Sequence, residues 1–182
     1  MHPRPRPKKD DMKRDFLRLL KELDDDDLRE EMKSLYDRFP VIREYYKLEL
    51  SNNTSKVLDK YKKDVRKAFF PGRGYRVARR GRSNSNKIIK SFTEVSIHAR
   101  DLIELHFYRV EVMIEAISYF NIDNDAFHES AVKSFAKSMN LASKELLLES
   151  FRPTIDQLVK YFDEKKRLSY FSLWETMQEH FS

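Results

Sequence analysis

Seven cations fall within 18 residues near the middle of the chain: Arg73, Arg76, Arg79, Arg80, Arg82, Lys87 and Lys90, with Tyr75 among them. Arginine offers a planar fork of donors that matches a phosphate, and lysine adds a compact charge. Gly72, Gly74 and Gly81 in the same stretch allow a backbone to approach a polyanion closely. Tyr75 is placed to stack on an unpaired base. The segment points to an anionic partner, either nucleic acid or an acidic protein surface. An arginine-rich loop is equally often solvated, or laid over the acidic body of its own domain. Gly72-x-Gly74 is no dinucleotide fingerprint: Val77 stands where the third glycine belongs, and no strand is predicted before it.

A second candidate lies further on. Glu111 and Glu115 are four residues apart on an otherwise apolar stretch, with His106 nearby. Paired carboxylates in an interior pocket can divide acid and base roles. The plainer expectation is that both pair with Arg109 or with cations on adjacent helices, or face solvent on a narrow strip, and that His106 hydrogen-bonds in the core. A third class of function is protein interaction through an aromatic surface that includes Tyr45, Tyr46 and Trp174.

Metal chemistry finds little purchase. Glu94, His98 and Asp101 would align at i, i+4 and i+7, but a helix break at Ser96 would take them off one face. Asn121-x-Asp123-x-Asp125 begins like a calcium loop, yet Ala126 replaces its glycine and Val132 its terminal glutamate. Cysteine is absent, which removes thiolate nucleophiles, disulfides and cysteine-bound zinc. The sequence contains no serine elbow, P-loop or HExxH motif, and it implies no cofactor. A non-enzymatic binding module is the expectation.

The elements that must carry these residues are helical. Three glycines in 182 residues are too few for the tight turns of a sheet protein. Charged residues reach 36%, which suits helices with solvated faces. Two stretches without acids, residues 1–9 and 65–93, contribute thirteen cations, so the remainder of the chain is net acidic at −7. No apolar run suits a signal peptide or a membrane span, so a cytoplasmic setting is the default.

Apolar spacing predicts the helices in turn. Residues 1–11 read as a disordered Pro/Arg arm, and 12–182 as one helical domain. Phe16, Leu19, Leu20 and Leu23 stripe the first helix. Asp24 to Asp27 cap the second, which carries Leu28, Met32, Leu35 and Phe39. Pro40 opens a third with Val41, Tyr45 and Leu48, and 51–54 form a loop. The fourth carries Val57, Leu58, Tyr61, Val65 and Phe69 and ends at Pro71. A basic loop over 71–86 gives way near Ser85 to a fifth helix with Ile88, Phe92 and Val95.

Residues 98–120 are apolar on nearly every side and predict a central helix. Asp125 is the expected cap of a seventh helix with Phe127, Val132, Phe135 and Met139. Residues 141–151 continue it or form an eighth, and Pro153 is expected to open a ninth with Ile155, Leu158, Val159 and Phe162. Ser172 and Glu175 suggest a capping box before Trp174, Met177 and Phe181. The fold expected is all-α, an irregular bundle of about eight to nine helices around 98–120.

The stretches Leu35-Tyr36-Asp37-Arg38-Phe39-Pro40-Val41, Tyr45-Tyr46-Lys47, Phe69-Phe70-Pro71 and Arg73-Gly74, with the turn from Asn121 to Phe127, resemble a family of uncharacterised bacterial proteins known only as a domain of unknown function. The resemblance covers most of residues 12–165 and leaves out the Pro/Arg arm. It implies an all-helical fold and a bacterial cytoplasmic setting. It implies no activity and carries no site residues.

Overall fold

A computed structural model of the chain describes residues 9–50, 55–72, 80–168 and 170–181. Among the described residues all regular structure is helical, in nine helices: α1 (Lys9–Glu22), α2 (Asp25–Arg38), α3 (Pro40–Glu49), α4 (Ser55–Phe69), α5 (Gly81–Val95), α6 (Ala99–Tyr119), α7 (Asp125–Lys144), α8 (Leu148–Lys165) and α9 (Trp174–Phe181). The bundle expected from apolar spacing is the one found. None of its helices is long and apolar enough to cross a membrane.

The chain divides between Glu44 and Tyr45 into two compact units. In the first, Asp24 caps α2 by accepting from the backbone N–H groups of Asp26 and Asp27 at 3.0 and 2.9 Å. The carboxylates of Asp25, Asp26 and Asp27 then sit in the first turn, where the helix dipole favours them. Arg43 closes the other end of α2, with Nη1 donating to the carbonyls of Tyr36 and Asp37.

In the second unit α6 is central. It buries Ile103, Leu105, Phe107, Val110, Val112, Met113, Ile114, Ala116 and Ile117, and packs against α4, α5, α7 and α8. Phe69, Phe92, Phe135 and Phe162 of the neighbouring helices are wholly buried around it. Aromatic rings remove large apolar areas from water and supply much of the driving force for such a core.

Three local expectations give way to different geometry. First, α5 begins at Gly81 rather than near Ser85. A β-carbon on Gly81 would lie 2.9 Å from the carbonyl oxygen of Ala68 and 3.0 Å from Cδ1 of Phe69. The absent side chain thus lets α5 close onto the end of α4, and Gly81 serves helix packing rather than a flexible loop. Residues 81–86 of the expected basic loop over 71–86 are therefore helical, and 73–79 lie outside the described residues. Second, the cap of α7 is Asn124, whose side chain accepts from the N–H of Phe127 at 3.2 Å. Asp125 occupies the first turn instead and accepts a hydrogen bond from the Tyr170 hydroxyl.

Third, Pro153 lies inside α8 and opens no helix of its own. Residues 142–147 form a helix-terminating turn in which the N–H groups of Leu146 and Leu147 reach back to Ser143 and Ala142. The next helix therefore starts at Leu148, early enough to bury Phe151. Pro153 and Glu149 are both exposed, so water can satisfy the carbonyl that the missing N–H leaves free.

Candidate functional site

One groove in the second unit is built from one face of each of three helices. α5 contributes Asn86, Ile89, Lys90, Thr93 and Glu94; α6 contributes His106 and Arg109; α7 contributes Ser130, Lys133, Ser134 and Lys137. The spacings are i, i+3, i+4 and i+7 on the outer helices and i, i+3 on the central one, each a single helical face. The groove encloses about 680 Å³, within the range of small-ligand sites.

Arg109 forms its floor and is 4% exposed. Its Nε donates to Oγ of Ser85 at 2.8 Å, and its Nη1 to Oγ of Ser134 at 2.5 Å. Both hydroxyls have their own protons committed within their helices: Ser85 donates to the carbonyl of Arg82 and Ser134 to that of Ser130. Each therefore turns lone pairs toward the guanidinium. The two bonds use two of the five N–H donors. Among the described residues no carboxylate lies within ion-pairing distance of Arg109. Burial, aided by the like charge of Arg82, lowers its pKa to about 10, so it remains a cation at neutral pH.

His106 is also buried, one turn before Arg109. Burial, with Lys137 and Arg109 nearby, holds the imidazole down at about 4. It is neutral at physiological pH, because a further positive charge there is costly. Lys90, Lys133 and Lys137 are exposed along the groove. Lys133 pairs with Glu129 at 2.6 Å, and Glu94 is the one acid in the lining.

A second, shallower groove shares Asn86, Lys90 and Ser130 with the first and adds Arg80, Arg82, Ser83 and Lys87. The basic segment expected to bind anions is thus helical in its second half: Arg82, Lys87 and Lys90 lie on α5 and Arg80 precedes it. Arg82 is also a structural link, with Nη1 donating to the carbonyl of Ala126 at 2.5 Å and its guanidinium over the Phe127 ring. Arg73, Tyr75, Arg76 and Arg79 lie outside the described residues.

The structure separates His106 from the two glutamates it was grouped with. Positions 106 and 111 differ by about 140° around a helix, and His106 opens toward α5 and α7. Glu111 and Glu115 line another groove of about 310 Å³ with Thr154, Gln157, Lys160, Tyr161 and Glu164 of α8. Glu115 is held by Arg66 of α4 through two bonds of 2.5 and 2.6 Å, which raise the arginine's pKa. Glu111 keeps a raised pKa, first from partial burial and then from repulsion by Glu115. Arg109, one of the partners expected for these acids, points away from both.

Ser96 ends α5, and α6 starts at Ala99, so Glu94, His98 and Asp101 do not share a helix. Among the described residues no group of three or more acidic or imidazole side chains is placed to hold a metal. Comparison with curated proteins and with solved structures found no significant match. One family model spans nearly all the described chain, from the start of the helical region to the end of α9. By this match, over residues 11–181, the chain belongs to the family of unknown function DUF6155.

Proposed function

We propose that this protein is a non-enzymatic binding module that takes a nucleic-acid strand along the cationic face of α5. The observation that carries this reading is the common groove lined by Arg80, Arg82, Lys87 and Lys90. Cations spaced along one helix suit a chain of phosphates, because each can sit against a separate charge. Among the described residues Lys87 and Lys90 have no carboxylate partner that would compete for them. Arg73, Arg76 and Arg79 precede this face in sequence and add three cations to the segment. The carboxylate groove is the weaker candidate, since one of its two acids is already held by Arg66.

Fluorescence anisotropy with labelled single- and double-stranded oligonucleotides tests the reading. Four phosphate contacts predict a log–log salt slope of roughly −3 to −4. Arg80→Ala with Lys87→Ala should flatten that slope by about 1.5 to 2 and weaken binding to all sequences alike. No binding at low salt overturns the proposal. Binding to polyglutamate in place of either nucleic acid assigns the face to an acidic protein.

A further inference from the structure

The inner groove has a feature that a surface for a polymer does not require: a buried arginine, 4% exposed, held by two hydroxyls and, among the described residues, without a carboxylate partner. A buried charge without a counter-ion is costly, and such groups are normally paired. The hydroxyl clamp fixes the plane of the guanidinium without neutralising it. The charge is therefore positioned and left for an anion from outside.

We propose that the groove around Arg109 is a discrete site for a phosphate monoester carried on a molecule of about nucleotide size. Three lysines, Lys90, Lys133 and Lys137, join Arg109 in the lining, against one acid, Glu94. A dianionic phosphate answers that excess better than a single carboxylate does. The arginine fork lies at the bottom and the lysines nearer solvent, so the phosphate enters first. Its oxygens take the guanidinium and the neutral His106 ring, and the lysines close over it. The rest of the ligand lies against Ile89 and Thr93, with Asn86 and Glu94 placed to bind hydroxyl or amino groups. The volume of about 680 Å³ exceeds what inorganic phosphate alone would fill.

The site shares Asn86, Lys90 and Ser130 with the polymer face, but its other cations are its own. Arg109, His106 and Lys137 belong to the inner groove alone, and Arg80, Arg82 and Lys87 to the outer one alone. Calorimetric titration and thermal shift of the full chain, with adenosine monophosphate, ribose 5-phosphate, adenosine, ribose and inorganic phosphate, provide the test. The two esters should bind and stabilise, their unphosphorylated forms should not, and inorganic phosphate should bind more weakly than either ester. Arg109→Met should weaken the esters roughly 10- to 100-fold. Lys137→Ala, at an exposed position that leaves folding intact, should weaken them several-fold. Arg80→Ala with Lys87→Ala should leave them unchanged.

A 5′-phosphorylated oligonucleotide compared with its 5′-hydroxyl form distinguishes the source of the phosphate. A gain confined to the phosphorylated strand, together with weaker binding of free esters, places a strand end in the groove. Tighter binding of the free esters places a small molecule there. Equal affinity for phosphorylated and unphosphorylated ligands, or full affinity in both Arg109→Met and Lys137→Ala, overturns the site.

Discussion

Nη1 of Arg109 on α6 lies 2.5 Å from Oγ of Ser134 on α7, and that hydroxyl's proton is committed to the carbonyl of Ser130. The pair joins two helices through a charged bond at the floor of the groove. Removing the acceptor and removing the charge should have opposite effects. Ser134→Ala strands a buried charged donor and should lower stability by about 1–3 kcal/mol. Arg109→Met removes the uncompensated charge while both hydroxyls keep their helix carbonyls. Its stability should stay within about 1 kcal/mol of the parent or rise, as expected where a site is held at some expense to the fold. Urea denaturation of both variants and the double variant closes the cycle. Ser134→Ala should cost less once Arg109 is gone; an equal cost in both backgrounds would show that the bond contributes nothing.

His106 makes stability depend on pH. Its folded pKa of about 4 lies below the ordinary value of 6.5. The native state therefore resists a proton that the unfolded chain accepts. The contribution is complete above pH 6.5 and is lost progressively as pH falls toward 4, with a total of roughly 3 kcal/mol. Lys137 from α7 and Arg109 from α6 oppose protonation, while Lys90 and Glu94 of α5 face the same groove. His106→Gln should flatten the stability profile between pH 6.5 and 4 relative to the parent, measured by denaturation at fixed ionic strength. Identical profiles would show that the imidazole does not carry the effect.

The bundle was legible because its signals were redundant. α6 reads as central from the density of apolar residues between Leu102 and Phe120, and four consecutive aspartates announce the cap of α2. The inner groove was not legible because its parts are ordinary taken singly. Ser85 sits in register with Gly81 and Ile89 on the buried face of α5, and Ser134 and Ser138 share the buried face of α7 with Ala131 and Phe135. Small hydroxyls at core positions on two helices, with one arginine in the apolar helix between them, are the available signal. Periodicity does not say which faces meet, so Arg109 read as one interruption among several. The start of α5 was missed for a different reason: Arg80 at its cap makes no side-chain capping bond, and the following glycine reads as loop.

Glu115 and Arg66 should matter more to Glu111 than to global stability. Their bond is bidentate, but the arginine side chain is 47% exposed, so water screens it. Glu115→Gln should cost about 1 kcal/mol or less. Repulsion by Glu115 helps raise the Glu111 carboxyl, whereas Arg66 lowers it. The substitution removes the repulsion and frees the arginine, so Glu111 should titrate at lower pH. Carboxyl-carbon NMR across the acid range measures this directly. An unchanged Glu111 would mean that burial alone sets its pKa.

Gly81→Ala should destabilise the protein even though alanine is the better helix former. The new carbon would meet the Ala68 carbonyl oxygen at 2.9 Å, an atom fixed by the backbone of α4. Overpacking of this kind costs about 1–3 kcal/mol, and helix propensity returns less than about 1. A net loss of about 1 kcal/mol is expected in urea denaturation. A gain would mean that α5 approaches α4 less closely.

Leu146→Gly should act in the opposite direction. Leu146 follows α7 with φ of +58°, a left-handed conformation that a branched side chain disfavours. Its side chain is 92% exposed, so removing it forfeits almost no burial. The turn itself depends on backbone bonds, from Leu146 N–H to Ser143 and from Leu147 N–H to Ala142, which glycine preserves. Relief of the left-handed strain is worth about 1–2 kcal/mol. The added freedom of glycine in the unfolded chain offsets part of it, about 0.4–1 kcal/mol. The variant should therefore be more stable by roughly 0.5–1 kcal/mol, with ester binding in the inner groove unchanged. Leu146→Ala separates the two contributions, because it keeps the β-carbon responsible for the strain and should gain little. If both variants gained equally, the exposed leucine side chain would be the source of the cost, and the turn would owe nothing to its positive φ.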